Sequence, residues 1–366
     1  MSDVNTNRIL TGDCLSVLQD LPDESIHAVM TSPPYWQLRD YGHDDQLGLE
    51  PTREEYIQNI ADVMNEVKRV LRDDGSLWLN LGDTYDDKDL QQIPARVALE
   101  LQRRGWTLRN RVTWAKPNPM PQSVKDRLND TTEAVFHFVK KRDYWYDLDA
   151  IREDLASASI PRDIENKWST KTNTAKHDDT VNHQEEIGVN PAGKNPGDVF
   201  EVTTKPFPEA HFAVYPPELC EKPIKATCPP TVCAECGSPY EREVEYHRKN
   251  NCHERDEPFA KASGEVTGNP QSFTRETPKI EHKGWTPTCD CDTDATEPGI
   301  ALDPFAGAGT TLLKAKELGR RFVGIELNPE YADMARARVG LSPHDPANVR
   351  GDDNQQGLEA FTGADE

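Results

Sequence analysis

Residues 31–36, Thr-Ser-Pro-Pro-Tyr-Trp, place two hydroxyls, two prolines and two aromatic rings directly after an apolar stretch. Consecutive prolines stiffen the backbone and leave nearby carbonyl groups without local amide partners. The Ser32 hydroxyl and the Pro33 carbonyl can then accept hydrogen bonds from an amino group on an aromatic ring, which favours the pyramidal, nucleophilic form of its nitrogen. Tyr35, after Pro34, offers a face on which a flipped base can stack. A plain Pro-Pro turn is the alternative interpretation.

A second segment, residues 303–311 with the sequence DPFAGAGTT, follows an apolar strand and precedes an amphipathic helix. Gly307 and Gly309 let the backbone pass close to a ligand without interference from a Cβ atom. Glu326 ends the next predicted strand, where a carboxylate can accept hydrogen bonds from ribose hydroxyls. A leucine stands at the third glycine position of the dinucleotide motif, so the pattern favours S-adenosylmethionine, with Asp303 near its cationic groups. A glycine turn in an unrelated α/β protein is the alternative.

The apolar pattern predicts an α/β fold made from two separated parts of the chain. The first part predicts strands at RIL, HAVM, SLWLNLG, RVTWAK and EAVFHFVK, with helices at CLSVLQDL, near 53–71 and near 93–104. The later part predicts a strand ALDPF, a helix LLKAKELG, a strand FVGIE and a helix opened by Asn328 as N-cap. We therefore expect a doubly wound, Rossmann-like sheet that is circularly permuted, with the segment 31–36 preceding the glycine loop.

These patterns divide the chain into six predicted segments. They are a catalytic half of the sheet domain (1–149), a polar target-recognition region (150–204), a return segment near the cofactor (205–226), a cysteine-rich insertion (227–298), a cofactor-binding half (299–341) and an acidic, disordered tail (342–366).

The cysteine-rich insertion predicts a structural metal site. Cys233 and Cys236 have the two-residue spacing of zinc ligands, and Gly237 permits a tight turn after them. Cys289 and Cys291 form a second pair just before the cofactor strand. Four thiolates would make a closed, noncatalytic zinc site, whose metal supplies folding energy to an insertion with few apolar residues. The alternatives are free thiols, or ligand sets that use Cys228, Cys252, His253 or His282.

The overall charge argues against a nucleic-acid partner. The chain has 64 acidic and 42 basic residues, a net charge of −22, whereas proteins bind duplex DNA through Lys and Arg. Concentrated salt shortens the Debye length to about 3 Å at 1 M, so we interpret the acidic surface as halophilic adaptation. An acidic enzyme that never meets DNA is the alternative. Because no long apolar run or signal pattern occurs, we predict a soluble, cytoplasmic protein without membrane contact.

Between Arg96 and Arg142 the charge balance reverses locally, and aromatic residues are interleaved with the cations. Cations of this kind contact phosphates, and aromatic rings stack or wedge between bases. The DNA-contacting residues that we predict here are Arg109, Arg111, Lys116, Lys125, Arg127, Lys140 and Lys141. Ordinary solvated basic faces are the alternative.

Taken together, the motifs resemble the beta class of DNA amino-methyltransferases, in which the catalytic motif precedes the cofactor motif. The resemblance rests on TSPPYW, DPFAGAGTT and GIELN. It extends to NRILTGDCL, WAKPNPMPQSVKDR, TEAVFHFVKKRDYWYD and NPGDVFEVTTKPFPEAHFAVYPPEL, roughly two thirds of the chain.

The resemblance implies a role for each matching residue. Residues 32–35 would form the catalytic loop, and the polar recognition region would read the target sequence. The cofactor site would comprise Asp13 near the adenine, Phe305 with Gly307 and Gly309 around it, Glu326 at the ribose, His211 and Phe212 near the methionine moiety, and Asp303, Thr310 and Asn328. Ser32, rather than Asp or Asn, resembles the cytosine-N4 members more than the adenine-N6 members.

The expected activity is site-specific transfer of a methyl group from S-adenosylmethionine to N4 of a flipped cytosine in duplex DNA. Adenine N6, RNA and a protein amide are alternative targets, and a non-catalytic zinc-dependent DNA-binding protein is the alternative class. Carbon-5 methylation is excluded, because it needs a Pro-Cys pair that the sequence lacks. A restriction endonuclease partner would be a separate chain. The resemblance also suggests a haloarchaeal enzyme acting on CTAG, and the sequence leaves the oligomeric state open.

Overall fold

The computed structural model describes residues 4–43, 46–154, 193–205, 214–247 and 279–342. The described helices are Cys14–Gln19 (α1), Arg53–Val70 (α2), Ile93–Arg103 (α3), Pro217–Thr227 (α4), Thr310–Glu317 (α5) and Pro329–Val339 (α6). The described strands are Arg8–Thr11 (β1), Ile26–Thr31 (β2), Leu71–Leu81 (β3), Tyr85–Asp86 (β4), Asp89–Leu90 (β5), Thr107–Ala115 (β6), Thr132–Val139 (β7), Val199–Glu201 (β8), Val232–Cys233 (β9), Glu241–His247 (β10), Lys279–Thr286 (β11), Thr296–Glu297 (β12), Ile300–Asp303 (β13) and Arg321–Glu326 (β14). None of these helices has the length and apolarity required to cross a membrane.

The chain divides into two compact units. The first contains Met1–Ile151, Gly197–Glu241 and Pro287–Glu366, and the second contains Arg152–Pro196 and Arg242–Thr286. Within the second unit, Lys283 forms an ion pair with Glu245, and Arg242 lies over the ring of Trp285. Most of the predicted recognition region, and the predicted acidic tail from residue 343 onward, lie outside the described residues.

Eight strands of the first unit form one mixed sheet in the order β1-β14-β13-β2-β3-β7-β6-β8. The strands from β1 to β3 in this order are parallel, whereas β7 is antiparallel to both β3 and β6. From β13 the chain passes through α5 to β14 on one side, and from β2 it passes through α2 to β3 on the other. The connections diverge between β13 and β2, and sheets of this type bind ligands at the carboxyl ends of such strands. The predicted assembly of one sheet from two separated parts of the chain is confirmed.

Helices cover both faces of this sheet. One apolar cluster includes residues of α1, α2 and α3, and a second includes residues of α4, α5 and α6. All six residues of β2 are buried, as expected for a central strand that is covered on both faces. The start of α2 is stabilised by the Thr52 side chain, which accepts a hydrogen bond from the Glu55 amide, and by acidic residues in its first turn.

Strand β3 begins earlier than the sequence predicts. It starts at Leu71, which pairs with Ile26, and the register then shifts before the next pair. A Cβ atom at Gly75 would lie 2.8 Å from the His27 carbonyl oxygen. Gly75 lies inside β3 and permits two strands to approach closely within the sheet.

Candidate active site

A cavity of about 970 Å³ opens at the carboxyl edge of the sheet in the first unit. This edge carries the ends of β2 and β13, from which the two predicted segments begin. The predicted site residues that line the cavity are Asp13, Ser32, Pro33, Pro34, Tyr35, Phe305, Gly307, Thr310, Glu326 and Asn328. Residues from opposite ends of the chain therefore face one space. His211 and Phe212, which we predicted near the same cofactor, lie outside the described residues.

The glycine loop has a backbone conformation that favours glycine at two positions, of which only Gly307 lines the cavity. A Cβ atom at Gly309 would instead lie 3.0 Å from the Ala335 Cβ atom of α6. Gly307 and Gly309 have φ angles of 50° and 73°, in the left-handed region that favours glycine. The Glu326 carboxylate accepts hydrogen bonds from the Gly307 amide at 2.7 Å and the Asn328 amide at 2.9 Å. Burial raises the pKa of this carboxyl group. A carboxylate has about four acceptor positions, so Glu326 retains capacity for two further donors.

Asp303 lies behind the cavity wall instead of on it. It is fully buried, and its Oδ1 accepts hydrogen bonds from the Thr31 hydroxyl at 2.6 Å and the Phe305 amide at 3.1 Å. Its Oδ2 accepts a hydrogen bond from the Tyr215 hydroxyl at 2.9 Å. Asp303 thus fastens the end of β2 to the start of the glycine loop. Its predicted direct contact with the cofactor stays a prediction.

The predicted catalytic loop is anchored through the Tyr35 side chain. The Tyr35 hydroxyl donates to Glu133 at 2.6 Å and accepts a hydrogen bond from the Ser32 hydroxyl at 3.2 Å. A side chain at Gly82 would clash with the Tyr35 ring, so this glycine makes room for the ring. Burial raises the pKa of Tyr35 well above its ordinary value. Tyr35 therefore remains a neutral phenol whose ring orientation is fixed.

Two residues that the sequence analysis did not single out complete this network. The Asn80 amide donates to the Tyr35 hydroxyl at 2.7 Å, to Glu133 at 2.9 Å and to the Ser32 hydroxyl at 3.2 Å. Glu133 also forms an ion pair with Lys116. Within the described residues, the buried Oδ1 of Asn80 has no hydrogen-bond partner. The site therefore contains an open acceptor beside the Ser32 hydroxyl.

Four of the predicted DNA-contacting cations lie toward this same edge. Arg111 and Lys116 are part of the cavity wall. Lys125 and Arg127 lie in the largely exposed stretch after β6, where the Cζ atom of Arg127 lies 4.0 Å from the centroid of the Tyr85 ring. Two of these cations are paired with acids, Lys116 with Glu133 and Arg127 with Asp130.

The other three lie toward the opposite, amino edge. Lys140 and Lys141 follow the far end of β7, where both form ion pairs with Asp73. Arg109 donates a hydrogen bond to the Tyr144 hydroxyl at 2.9 Å. The seven cations are close in sequence, but the strands β6 and β7 distribute them between the two opposite edges of the sheet. The role of each in DNA contact stays a prediction.

The two cysteine pairs also meet at the amino edge. The sulfur atoms of Cys233, Cys236, Cys289 and Cys291 all lie within 4.8 Å of one another, and we call these four residues the cysteine cluster. A tetrahedral zinc site with Zn–S bonds of about 2.3 Å separates its sulfurs by about 3.8 Å, so small inward movements would suffice. The predicted convergence of the two pairs is confirmed. Cys228 and His282 are not members of the cluster, and Cys252 and His253 lie outside the described residues.

Comparisons with known proteins agree with this architecture. The N6_N4_Mtase family model, whose description is DNA methylase, matches residues 26–233 and 294–337. The Type II methyltransferase M.XycI of Xanthomonas campestris pv. cyanopsidis is 32% identical over 361 residues, covering 90% of this chain and 87% of that protein. M.Cfr9I of Citrobacter freundii is 31% identical over 367 residues, covering 92% and 89%. The solved structure of the PvuII DNA methyltransferase (cytosine-N4-specific) has a TM-score of 0.54 at 18% identity, covering 96% of this chain and 91% of that one, a likeness of fold.

Proposed function

Because the chain belongs to the DNA methylase family of N4 and N6 methyltransferases, we propose that it transfers a methyl group from S-adenosylmethionine to N4 of a flipped cytosine in duplex DNA. The observation that carries the proposal is the single cavity that Ser32, Tyr35 and the glycine loop share. Thr31 and Asp303 join the two loops through a hydrogen bond of 2.6 Å. A flipped base and a cofactor would therefore meet in this one space.

The residues of the glycine loop suit S-adenosylmethionine, which supplies an electrophilic methyl group when bound. Glu326 would accept hydrogen bonds from the ribose hydroxyls through its two remaining acceptor positions. Phe305 and Asp13, both on the cavity wall, would contact the adenine. A ligand with a ribose but no pyrophosphate fits this loop, because the Gly307 amide, which could bind a phosphate, already donates to the negatively charged Glu326 carboxylate.

Three acceptors suit the exocyclic amine of the base. They are the Ser32 hydroxyl, the Pro33 carbonyl and the Oδ1 atom of Asn80, and all three residues line the cavity. Within the described residues, neither the Pro33 carbonyl nor Asn80 Oδ1 has a hydrogen-bond partner. Hydrogen bonds from the amine to these atoms would localise the nitrogen lone pair and make it more nucleophilic.

Methylation replaces one N–H bond of the amine by an N–C bond, so one proton must leave the site. The Ser32 hydroxyl donates to the Tyr35 hydroxyl, which donates to the Glu133 carboxylate. We propose that the proton travels along this path to Glu133. Before the proton arrives, the negative charge of Glu133 is compensated by Lys116, with which it forms an ion pair.

Cytosine is favoured as the base by Ser32, and the structural neighbour named cytosine-N4-specific carries the same suggestion. Nucleoside mass spectrometry of DNA from cells that express the protein tests the assignment. We expect N4-methylcytosine, whose amount should be strongly reduced with Ser32→Ala. If only N6-methyladenine is found, the proposed target becomes adenine. If cells that contain folded protein make neither product, the proposed activity is wrong.

We also propose that the cysteine cluster binds a structural zinc ion. Four thiolates are a common ligand set for zinc, and they leave no position for a catalytic water. Elemental analysis of protein purified without metal-affinity resin should find about one zinc per chain. Cys236→Ser and Cys289→Ser should lose the metal, whereas Cys228→Ala, a buried cysteine outside the cluster, should retain it. A folded wild-type protein without metal would contradict the site.

The biological setting that we propose is modification of duplex DNA at a short site. The relatives named above are Type II methyltransferases, and a restriction endonuclease, where present, would be a separate chain. Target readout is assigned to the polar region 150–204, and the segment boundaries given by the sequence remain part of the proposal.

A further inference from the structure

The two parts of the chain join in the sheet at two places, the β1–β14 pair and the β2–β13 pair. His27 lies at the second junction, which we call the seam. Strands β2 and β13 share only two registered pairs, Ala28 with Ala301 and Val29 with Leu302. On the amino side of these pairs, the Ile300 amide donates to Nδ1 of His27 at 3.0 Å. The imidazole of His27 thus continues the seam where the backbone pairing ends.

The second nitrogen of His27 connects the seam to the cysteine cluster. Nε2 lies 3.1 Å from the Gly237 carbonyl oxygen. Because Nδ1 accepts a hydrogen bond, the neutral tautomer with a proton on Nε2 satisfies both contacts at once. His27 is 2% exposed, so neither contact can be replaced by water.

The position of the Gly237 carbonyl depends on the turn that the first cysteine pair makes. Gly237 directly follows Cys236, has a φ of 71°, and donates its amide to the Cys233 carbonyl at 2.8 Å. Arg72, on β3, donates to the Cys236 carbonyl at 3.2 Å. One short turn therefore contacts β2 through His27 and β3 through Arg72.

A few hydrogen bonds join the two halves of the cysteine cluster. The Ala234 amide donates to the Ala295 carbonyl at 2.9 Å, and the Thr288 hydroxyl donates to the Pro239 carbonyl at 2.7 Å. Strand β9, which ends at Cys233, pairs with β12 over two residues. Without a metal the four cysteines would add little to these contacts, whereas a bound metal would tie both cysteine pairs to one point. The metal would thereby fix the carbonyl that His27 requires.

We propose that the metal-closed cysteine cluster aligns the β2–β13 seam through His27, and that this alignment sets the affinity of the distant cavity for its cofactor. The inference rests on the proposed zinc site and cofactor. The same two strands end at Thr31 and Asp303, whose hydrogen bond fastens the catalytic loop to the glycine loop. A shift at the amino end of either strand is carried to that bond, because packed strands move as rigid elements. His27 is a positioning residue, remote from the reacting atoms.

The test compares full-length variants by zinc content, calorimetric affinity for S-adenosylmethionine, and turnover at saturating cofactor. We expect His27→Leu to retain the metal, to weaken cofactor binding about tenfold, and to leave kcat nearly unchanged. His27→Gln, whose amide can both donate and accept, should restore most of the affinity. Cys236→Ser should lose the metal and weaken binding by a similar factor, and the double variant should show no further loss.

A matched control separates alignment from general destabilisation. His137 is also a buried histidine of the sheet, but it lies on β7, away from the seam, and bonds to Ser76. His137→Leu should lower the melting temperature without changing cofactor affinity. If Cys236→Ser loses zinc but keeps its affinity for S-adenosylmethionine, the alignment proposal is wrong while the metal site remains supported. Wild-type protein without zinc would overturn both, and additive losses in the double variant would show that His27 acts independently of the metal.

Discussion

The two edges of the sheet use polar groups in different ways. At the carboxyl edge, Glu326, the Pro33 carbonyl and Asn80 retain hydrogen-bond capacity that faces a cavity. At the amino edge, His27 and Lys140 are bonded to backbone groups or side chains of the protein itself. Polar groups with unused capacity that line a cavity indicate where a ligand binds, whereas groups bonded within the protein hold the fold together. Changes at the first edge should alter binding and turnover directly. Changes at the second should alter stability, and should reach cofactor affinity only through the β2–β13 seam.

The largest effect is expected at the catalytic loop. Ser32→Ala removes an acceptor for the amine and the first member of the path to Glu133. Loss of one such group commonly slows an enzyme about 100-fold, so we expect that decrease in kcat with cofactor affinity nearly unchanged. Single-turnover methylation with labelled cofactor measures it.

Ser76→Ala is the control for this prediction. Ser76 is a buried serine near the amino end of the sheet, where it bonds to His137 at 3.1 Å. Its loss should lower the melting temperature and leave the methylation rate of the folded enzyme unchanged. Equal slowing by both variants would mean that Ser32 acts through the fold instead of the reaction.

A smaller effect is expected at the glycine loop. Glu326→Gln keeps the shape of the side chain but removes the charge that strengthens its hydrogen bonds. Hydrogen bonds to charged groups contribute about 1.5–3 kcal/mol, so cofactor binding should weaken by at least about tenfold. Glu330→Gln, an exposed carboxylate in the first turn of α6, should leave the affinity unchanged. Calorimetric titration that found wild-type affinity in Glu326→Gln would contradict the ribose contact.

The same carboxylate predicts a pH dependence of binding. Burial raises the pKa of Glu326 above its ordinary 4.5, and only the ionised form accepts four hydrogen bonds. Cofactor affinity should therefore fall as the pH drops through this raised pKa. The stability contribution has the opposite sign, because a folded-state pKa above the unfolded one favours the folded protein as the pH falls. Cofactor affinity and unfolding free energy are measured against pH for the wild type and for Glu326→Gln, and the difference between the two proteins gives the contribution of Glu326. Identical pH curves for the two proteins would exclude Glu326 as the source of both pH dependences.

Local motifs in the sequence predicted the components of each site but not their full surroundings. Adjacent residues fix the Pro-Pro loop and the turn at Gly307, and cysteine spacing indicates the metal ligands. Asn80 and Glu133 were missed, because their meeting depends on the antiparallel direction of β7, which hydrophobic periodicity does not reveal. The burial of Asp303 was likewise set by partners far away in sequence, Thr31 and Tyr215.

The smallest effects are expected on DNA binding when single cations are replaced. Substitutions of cations at the two edges of the sheet compare these edges directly. Arg111→Gln at the cavity wall and Lys125→Gln in the exposed stretch should each weaken DNA binding a few-fold. Each lost phosphate contact should also reduce the slope of log affinity against log salt by about 0.9. If DNA contacts the carboxyl edge alone, Lys140→Gln and Lys141→Gln should change neither quantity, because these lysines lie at the amino edge and pair with Asp73. A loss with either variant would support the contact that the sequence predicts for it.

Fluorescence anisotropy with a duplex containing the target site, at several potassium chloride concentrations, measures both quantities. With a net charge of −22, the wild-type protein should bind weakly at low salt, since long-range repulsion is then unscreened. Binding and methylation should persist at molar salt, because contacts inside the cavity do not depend on charges that salt screens. Equal losses from substitutions at both edges would remove the assignment of the carboxyl edge as the DNA-facing side. Loss of all DNA binding at molar salt would instead show that phosphate contacts dominate the affinity. Salt adaptation would then not explain the acidic surface.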